Sequence, residues 1–378
     1  MVRDDSRPEE SGAVITRAFT AVRTFAPARL SMARRLAGMR PTDLAAAVAS
    51  SSAAVSQYEQ GQMIPDDTIL ARFAHALNVP IEFFAGGRPQ LRLDTSTVHF
   101  RSMQAADTVH RQQVLAQVEL LWEVATAIEQ VIEFPDVDLG LPLGVPHGGP
   151  AEAARTIRKA WGTSAGPIAH VVRQLEVRGI LVVALEAAAN VTIGAFSSAA
   201  PGRPIIALPT MMSPLARRVA VAHELGHLLL HPDAAPGSPS HEAAADAFAA
   251  EFLMPAADIS DRLPRRNDVG TLKDLSDCYG VPTAMLAHRG QLLGVYSETD
   301  LQTILADIVG LGWTINEPVN STFVGEQPEL LQSAAHMACE HGMPLRLLAS
   351  KLNIELAALR QLVGHTDLRP RLRLIASR

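Results

Sequence analysis

A mainly α-helical chain with one small β-sheet, an α+β fold, is what this sequence predicts, and three observations predict it. Hydrophobic content is 48% but aromatic content only 4%, and alanine is abundant, which suits helix packing better than strand packing. Apolar residues recur every three or four positions over most of the length, the period of a helix with one buried stripe. Only between about residues 179 and 208 do short β-type runs bracketed by turn residues replace that period.

The first 26 residues read as a polar tail without the apolar stretch of a signal peptide. Residues 27–87 show short helices with small turns, apolar at Leu30, Leu44, Val48, Val55, Leu70, Phe73, Leu77 and Phe83. A connector spans 88–150. Its helix repeats Val114, Val118, Leu121, Ala125, Ile128 and Ile132, with Trp122 expected in the core, and Phe134–Pro150 is a Pro/Gly-rich linker. The segment 151–294 opens with two helices around Ile157 and Val172. It continues with expected strands at Gly179–Leu185, Val191–Phe196 and Pro204–Leu208, turned at Asn190 and Pro201-Gly202. A helix from about Ser213 to Leu230 and another from His241 to Leu253, stopped by Pro255, follow. Residues 295–378 read as a helical C-terminal segment.

A length of 378 residues allows two or three domains. No apolar run approaches the roughly 18 residues of a membrane helix, and no membrane partner is expected. Cys278 and Cys339 lie far apart, fit neither a disulfide scaffold nor a paired metal motif, and agree with a reducing cytoplasm. A net charge of −6 confines any nucleic-acid contact to a local surface.

The chemistry concentrates in His223-Glu224-Leu225-Gly226-His227. Residues four apart on a helix lie about 40° apart around its axis, so both imidazoles can reach one ion. Zinc accepts such nitrogens at about 2.0–2.1 Å and needs a further protein ligand. His231 keeps the four-residue spacing but stands about 12 Å beyond His223 along the axis, too far to share one ion. It is expected to end the helix, its imidazole near free carbonyls. Glu242, 15 residues after His227, opens the next helix and is the expected third ligand. Asp246, one turn later, can accept the second N–H of a zinc-bound histidine and fix its tautomer. Glu224 stands beside the position left for water, and zinc lowers the pKa of bound water towards about 7, so Glu224 can take its proton and pass it to a leaving amine. The expectation is one Zn2+ per chain. The oxyanion-stabilising group stays open among His231, His241 and a tyrosine. The run Pro204–Leu208 is either a sheet edge for an extended peptide or a fully paired internal strand.

The runs RPIIAL, VAHELGHLLLHP and HEAAADAFAAEFLMP, with LSDCYGVPTAMLAHRGQLLG after them, resemble the ImmA/IrrE family of zinc metallopeptidases over about Pro167 to Gly294. The resemblance implies a thermolysin-like (gluzincin) fold with a glutamate third ligand on the helix after HExxH. It also implies cleavage of a partner repressor protein. The family usually carries an acidic or amide residue two positions after the ligand glutamate; here that position is Ala244.

In residues 29–84, Asp43–Val48 and Ser52–Glu59 have helix-turn-helix spacing, with Ser51 or Ser52 as N-cap and Val55 and Tyr58 inward. Ser52, Ala53, Ser56 and Gln57 then face outward, small or amide side chains suited to base edges. SAAVSQYEQG and LARFAHALNVPIEFF resemble the lambda-repressor-like (XRE) helix-turn-helix family. That family often opens its first motif helix with a phosphate-touching glutamine, where Pro41 stands here. Arg29, Arg34, Arg35, Arg40 and Arg72 are balanced by Asp43, Glu59, Asp66, Asp67 and Glu82, so the module needs a local patch, expected at Arg34, Arg35 and Arg40, or a homodimer, to bind DNA well. Leu345–Gly364 has a similar rhythm that core packing explains, and Arg369, Arg371, Arg373 and Arg378 form a basic tail. Two functions follow: a narrow-specificity regulatory zinc endopeptidase, or a DNA-binding transcription factor whose metal domain is a sensor without significant proteolysis.

Overall fold

The computed structural model describes residues 24–93, 99–100, 108–142, 148–185, 196–198, 202–232, 238–319 and 326–364. Nearly all of the expected N-terminal tail, residues 191–195 of the second expected strand, the turn residues Asn190 and Pro201, and the four arginines of the basic tail lie outside these. In chain order the elements are α1 (Pro27–Leu36), α2 (Pro41–Ala47), α3 (Ser52–Glu59), α4 (Asp67–Leu77), a 3-10 turn (Ile81–Phe84), β1 (His99–Phe100) and α5 (Thr108–Ile128). Then come α6 (Pro150–Ala160), α7 (Val171–Glu176), β2 (Leu181–Leu185), β3 (Phe196–Ser198), β4 (Ile205–Pro209), α8 (Pro214–Leu230) and α9 (Pro239–Leu253). The last are α10 (Ala256–Ile259), α11 (Val269–Tyr279), α12 (Thr283–Leu292), α13 (Glu298–Gly310), α14 (Trp313–Asn316), α15 (Leu330–Glu340), α16 (Leu345–Leu352) and α17 (Leu356–Leu362).

By its internal contacts the chain divides into two units. One comprises Met1–Gln90, Leu120–Glu133 and Leu331–Arg378; the other comprises Leu91–Glu119 and Phe134–Leu330.

In the first unit, α1 and α2 both start on proline, whose missing N–H costs nothing at the first helical position. The Ser51 hydroxyl caps α3 by accepting the Ala54 N–H at 3.1 Å, and Asp66 caps α4 by accepting Ile69 N–H at 2.8 Å. Such caps contribute about 1 kcal/mol each. Leu30, Leu44, Val55, Leu70, Phe73 and Phe83 are fully buried, and Tyr58 packs edge-on against Phe73. Trp122, expected in the core, is half-buried. Leu348, Leu352 and Leu359 bury the inner faces of α16 and α17. Asn353, in the left-handed region at φ 50°, ends α16 and donates to the Glu82 carbonyl at 2.8 Å.

The second unit holds a sheet in the order β1-β3-β4-β2. β2 and β4 are parallel (Val183 opposite Ala207), and β3 runs antiparallel to β4 (Ser197 opposite Ile206). β1 pairs antiparallel with the outer side of β3. All of β4 is buried, which explains its unbroken apolar sequence. It is therefore an internal strand, which decides between the two readings of Pro204–Leu208 in favour of the fully paired one. The two-residue β1 is too short to leave a periodic signal. The core gathers Ile157, Val172, Leu208, Leu225, Phe248 and Phe252, joined by Tyr279.

α8 is held at its start by the Ser213 hydroxyl, which accepts Ala216 N–H at 3.3 Å. One turn in, the buried Arg218 guanidinium donates to the carbonyls of Ile168 (2.6 Å), Gly280 (2.9 Å) and Tyr279 (3.1 Å) and pairs with Glu326. Glu326 also accepts the first N–H groups of α7, at 2.8 and 2.9 Å. A buried cation is stable only with such a full set of acceptors. α9 lies directly on α8 because Gly226 has no side chain: a Cβ there would stand 3.2 Å from Ala245 Cα and 3.2 Å from Phe248 Cδ1. The far end of α9 is fixed where Arg158 donates to the Phe252 carbonyl at 2.7 Å and Arg289 pairs with Glu251.

Candidate metal centre and recognition helix

The close seating of α9 on α8 brings three ligand-type side chains together. His223 and His227 point the same way from successive turns, their Nε2 atoms 3.0 Å apart. Glu242, in the first turn of α9, lays Oε2 3.3 Å from His223 Nε2 and Oε1 3.4 Å from His227 Nε2. A tetrahedral ion with bonds of about 2.0–2.1 Å has ligand–ligand edges of about 3.3 Å. The two imidazole nitrogens and the Glu242 carboxylate stand at separations of that order, and the group is a candidate metal site. Both histidines are fully buried, while the Glu242 side chain is 26% exposed.

Charge follows from this enclosure. Burial by itself would raise the Glu242 carboxyl, but its contacts with His223 and His227 outweigh that and hold it well below the usual carboxylate range. Burial pushes the His227 imidazole down, with Glu242 opposing. A neutral imidazole beside an ionised carboxylate is the donor set that a divalent cation requires. Asp246 Oδ1 lies 2.8 Å from His223 Nδ1. With Nδ1 protonated toward that carboxylate, the lone pair of Nε2 faces the cluster.

Glu224 projects from the same turn and is fully buried. Its Oε2 accepts the hydroxyl of Ser197 on β3 at 2.8 Å. Reasoning from sequence missed Ser197. Its strand was legible up to Phe196, but nothing in the run FSS marks one serine as facing a helix. His231 caps α8 through its N–H to the His227 carbonyl at 2.9 Å. Its ring stacks on that of His241 with centroids 4.1 Å apart, and lies 6.3 Å from the His227 ring. Both histidines proposed for the oxyanion thus neighbour the cluster. Tyr279 contacts Arg262 instead.

In the helix-turn-helix, Ser52, Ala53 and Gln57 are exposed on α3 and Ser56 is half-buried, its hydroxyl donating to the Ser52 carbonyl at 3.0 Å. Val55 and Tyr58 face inward. Arg40 is exposed at the N-terminus of α2. The expected patch of Arg34, Arg35 and Arg40 does not form, because Arg34 and Arg35 are buried at 6% exposure each. Arg34 instead clamps Glu59 with two hydrogen bonds of 2.6 and 2.9 Å and donates to the Met39 carbonyl. The planar guanidinium fork matches a carboxylate in this way, so the pair ties α1 to the end of α3.

Comparison with known proteins agrees with this division. A family model described as the IrrE N-terminal-like domain matches residues 175–290, and one described as helix-turn-helix matches residues 30–84. No curated protein and no solved structure matches the chain. Residues 175–290 are thus similar to ImmA/IrrE-type metallopeptidases and residues 30–84 to XRE-type helix-turn-helix domains. No helix among the described residues is long and apolar enough to cross a membrane.

Proposed function

We propose that this protein is a cytoplasmic, zinc-dependent regulatory endopeptidase that cleaves a protein partner, a helix-turn-helix repressor, and binds DNA through α3. The observation that carries the proposal is the convergence of His223, His227 and Glu242 within about 3.4 Å of one another beside the buried Glu224. His223, His227 and Glu242 would hold the metal, with Asp246 fixing the His223 tautomer. Zinc, when bound, supplies a Lewis acid that polarises a carbonyl and acidifies water. Glu224 would take the proton of the attacking water and deliver it to the leaving amine. The Ser197 hydroxyl, donating to one Glu224 oxygen, would fix the carboxylate plane for that transfer. Ser52, Ala53, Ser56 and Gln57, with Arg40, would face the DNA.

The second reading is a DNA-binding regulator whose metal domain senses without significant proteolysis. It is favoured by the complete burial of His223, Glu224 and His227, with Glu242 the ligand side chain that reaches solvent. The test is to incubate purified, metal-analysed protein with candidate helix-turn-helix repressors, beside Glu224→Gln. A single cut made by the wild type and lost in Glu224→Gln, which still holds stoichiometric metal, supports the endopeptidase. Intact partners in every tube, with zinc stoichiometric, refute it in favour of the sensor.

A further inference from the structure

Within the first unit, a cavity of about 250 Å³ is lined by Arg88, Pro89, Glu123, Ala127, Lys351 and Leu352, with Gly87, Thr126 and Gln130 completing it. Its charge is unbalanced. Arg29, fully buried, gives Nη1 to Glu123 at 2.7 Å, while its Nε and Nη2 are buried without a hydrogen-bond partner. Arg88 donates Nη2 to the Phe83 carbonyl at 2.7 Å, and its Nε and Nη1 are likewise buried without a partner. Both guanidiniums lean on the same Phe83 ring, at 5.7 and 5.5 Å from its centroid. One carboxylate, Glu123, therefore faces two arginines, and Lys351 adds a third cation at the wall.

Enclosing a cation without full compensation is costly. The strain shows on Arg88, lowered to about 10 by burial first and then by the charge of Arg29, with Glu123 opposing. We propose that this cavity is a binding site for a small organic oxyanion, its carboxylate or phosphate head received by the unpartnered Nε and Nη1 of Arg88 and by Lys351. Each of the two unpartnered donors, Nε and Nη1, can make a charge-assisted hydrogen bond to such a head. Pro89, Ala127 and Leu352 supply an apolar wall for a compact body. An apolar cavity of about 150 Å³ holds a benzene ring, so 250 Å³ accommodates a ring-sized body with its charged head. Glu123, whose Oε2 Arg29 engages, offsets one of the three positive charges of Arg29, Arg88 and Lys351, and a net positive charge remains.

The test uses the full chain with benzoate, phenyl phosphate and the neutral benzamide, against sodium chloride at matched ionic strength. Calorimetric titration and thermal unfolding are read together. Saturating benzoate or phenyl phosphate is expected to raise Tm by on the order of 5 °C, and benzamide to leave it unchanged. Which anion acts at lower concentration separates carboxylate from phosphate ligands. Arg88→Gln should abolish the shift while unfolding no earlier than wild type without ligand, since it removes an under-compensated charge. Should that variant fail to fold, Ala127→Phe, which fills the cavity and keeps Arg88, must lose the response instead. Equal responses to the anions and benzamide, a shift that survives both substitutions, or no shift at all would overturn the proposal.

Discussion

Replacing Asp246 with asparagine isolates the contribution of a residue that touches no metal. Its Oδ1 stands 2.8 Å from His223 Nδ1, and the amide can present its nitrogen rather than its oxygen to that atom, favouring the wrong tautomer. Removing such a partner of a ligating histidine typically weakens metal binding about 10–100-fold. The Asp246 side chain is 55% exposed, so water can partly replace it, and the lower end is expected: about tenfold, or roughly 1.4 kcal/mol. Glu242→Ala removes a ligand outright and should weaken binding by more than 100-fold, beyond the range for an outer partner. The assay is competition for zinc against a chromogenic chelator of known affinity, run on wild type and both variants at one pH. An Asp246→Asn affinity within twofold of wild type would refute the role given to the contact. A Glu242→Ala affinity equal to wild type would remove Glu242 from the ligand set.

Three further predictions rest on other parts of the molecule. Arg34→Ala strands the half-buried Glu59 carboxylate and should destabilise the helix-turn-helix by about 1–3 kcal/mol, read as a lower denaturant midpoint. Gly226→Ala places a Cβ against Ala245 and Phe248; overpacking of about 1–3 kcal/mol should outweigh the helix propensity gained and weaken zinc retention by moving Glu242, so unchanged retention would show that α9 has room to shift. Burial raises the Glu176 carboxyl to about 7 from an ordinary 4.5, against the N–H groups of Leu330 and Glu329. A raised folded pKa means the unfolded chain loses its proton first, so this contribution is fully present below about 4.5, falls as pH rises and is gone above about 7. It amounts to at most about 3 kcal/mol, and Glu176→Gln should show a shallower loss of stability than wild type across that window in parallel urea titrations.

The candidate metal site was legible because its parts are local. Four-residue spacing puts His223 and His227 on one face, and the only remaining problem was to choose a carboxylate on the next helix. The seating that makes Glu242 reachable was not legible, although its cause, Gly226, lies inside the motif: a glycine states what is missing from a surface, not what packs there. Ser197 was hidden for a similar reason, since strand pairing sets its neighbours across a sequence separation of 27 residues. Whether Pro204–Leu208 was an edge or an internal strand stayed open in the sequence because strand order is set by pairing, with β2 on one side of it and β3 on the other. The arginine patch failed because sequence gives charge without burial, and Glu59, 25 residues from Arg34, turns that charge inward.

That inward turn bears on how the N-terminal module would grip a duplex. Each phosphate neutralised by a protein cation releases counterions, and affinity then falls with added salt at a log–log slope of about −0.9 per phosphate. Arg29, Arg34 and Arg35 are all sequestered from solvent, leaving Arg40 and Arg72 as the accessible guanidiniums among the arginines of residues 29–86. A single copy would therefore show a gentle ionic-strength dependence, with selectivity carried by shape and by amide or hydroxyl contacts, and occupancy at physiological salt would depend on two copies spanning adjacent half-sites.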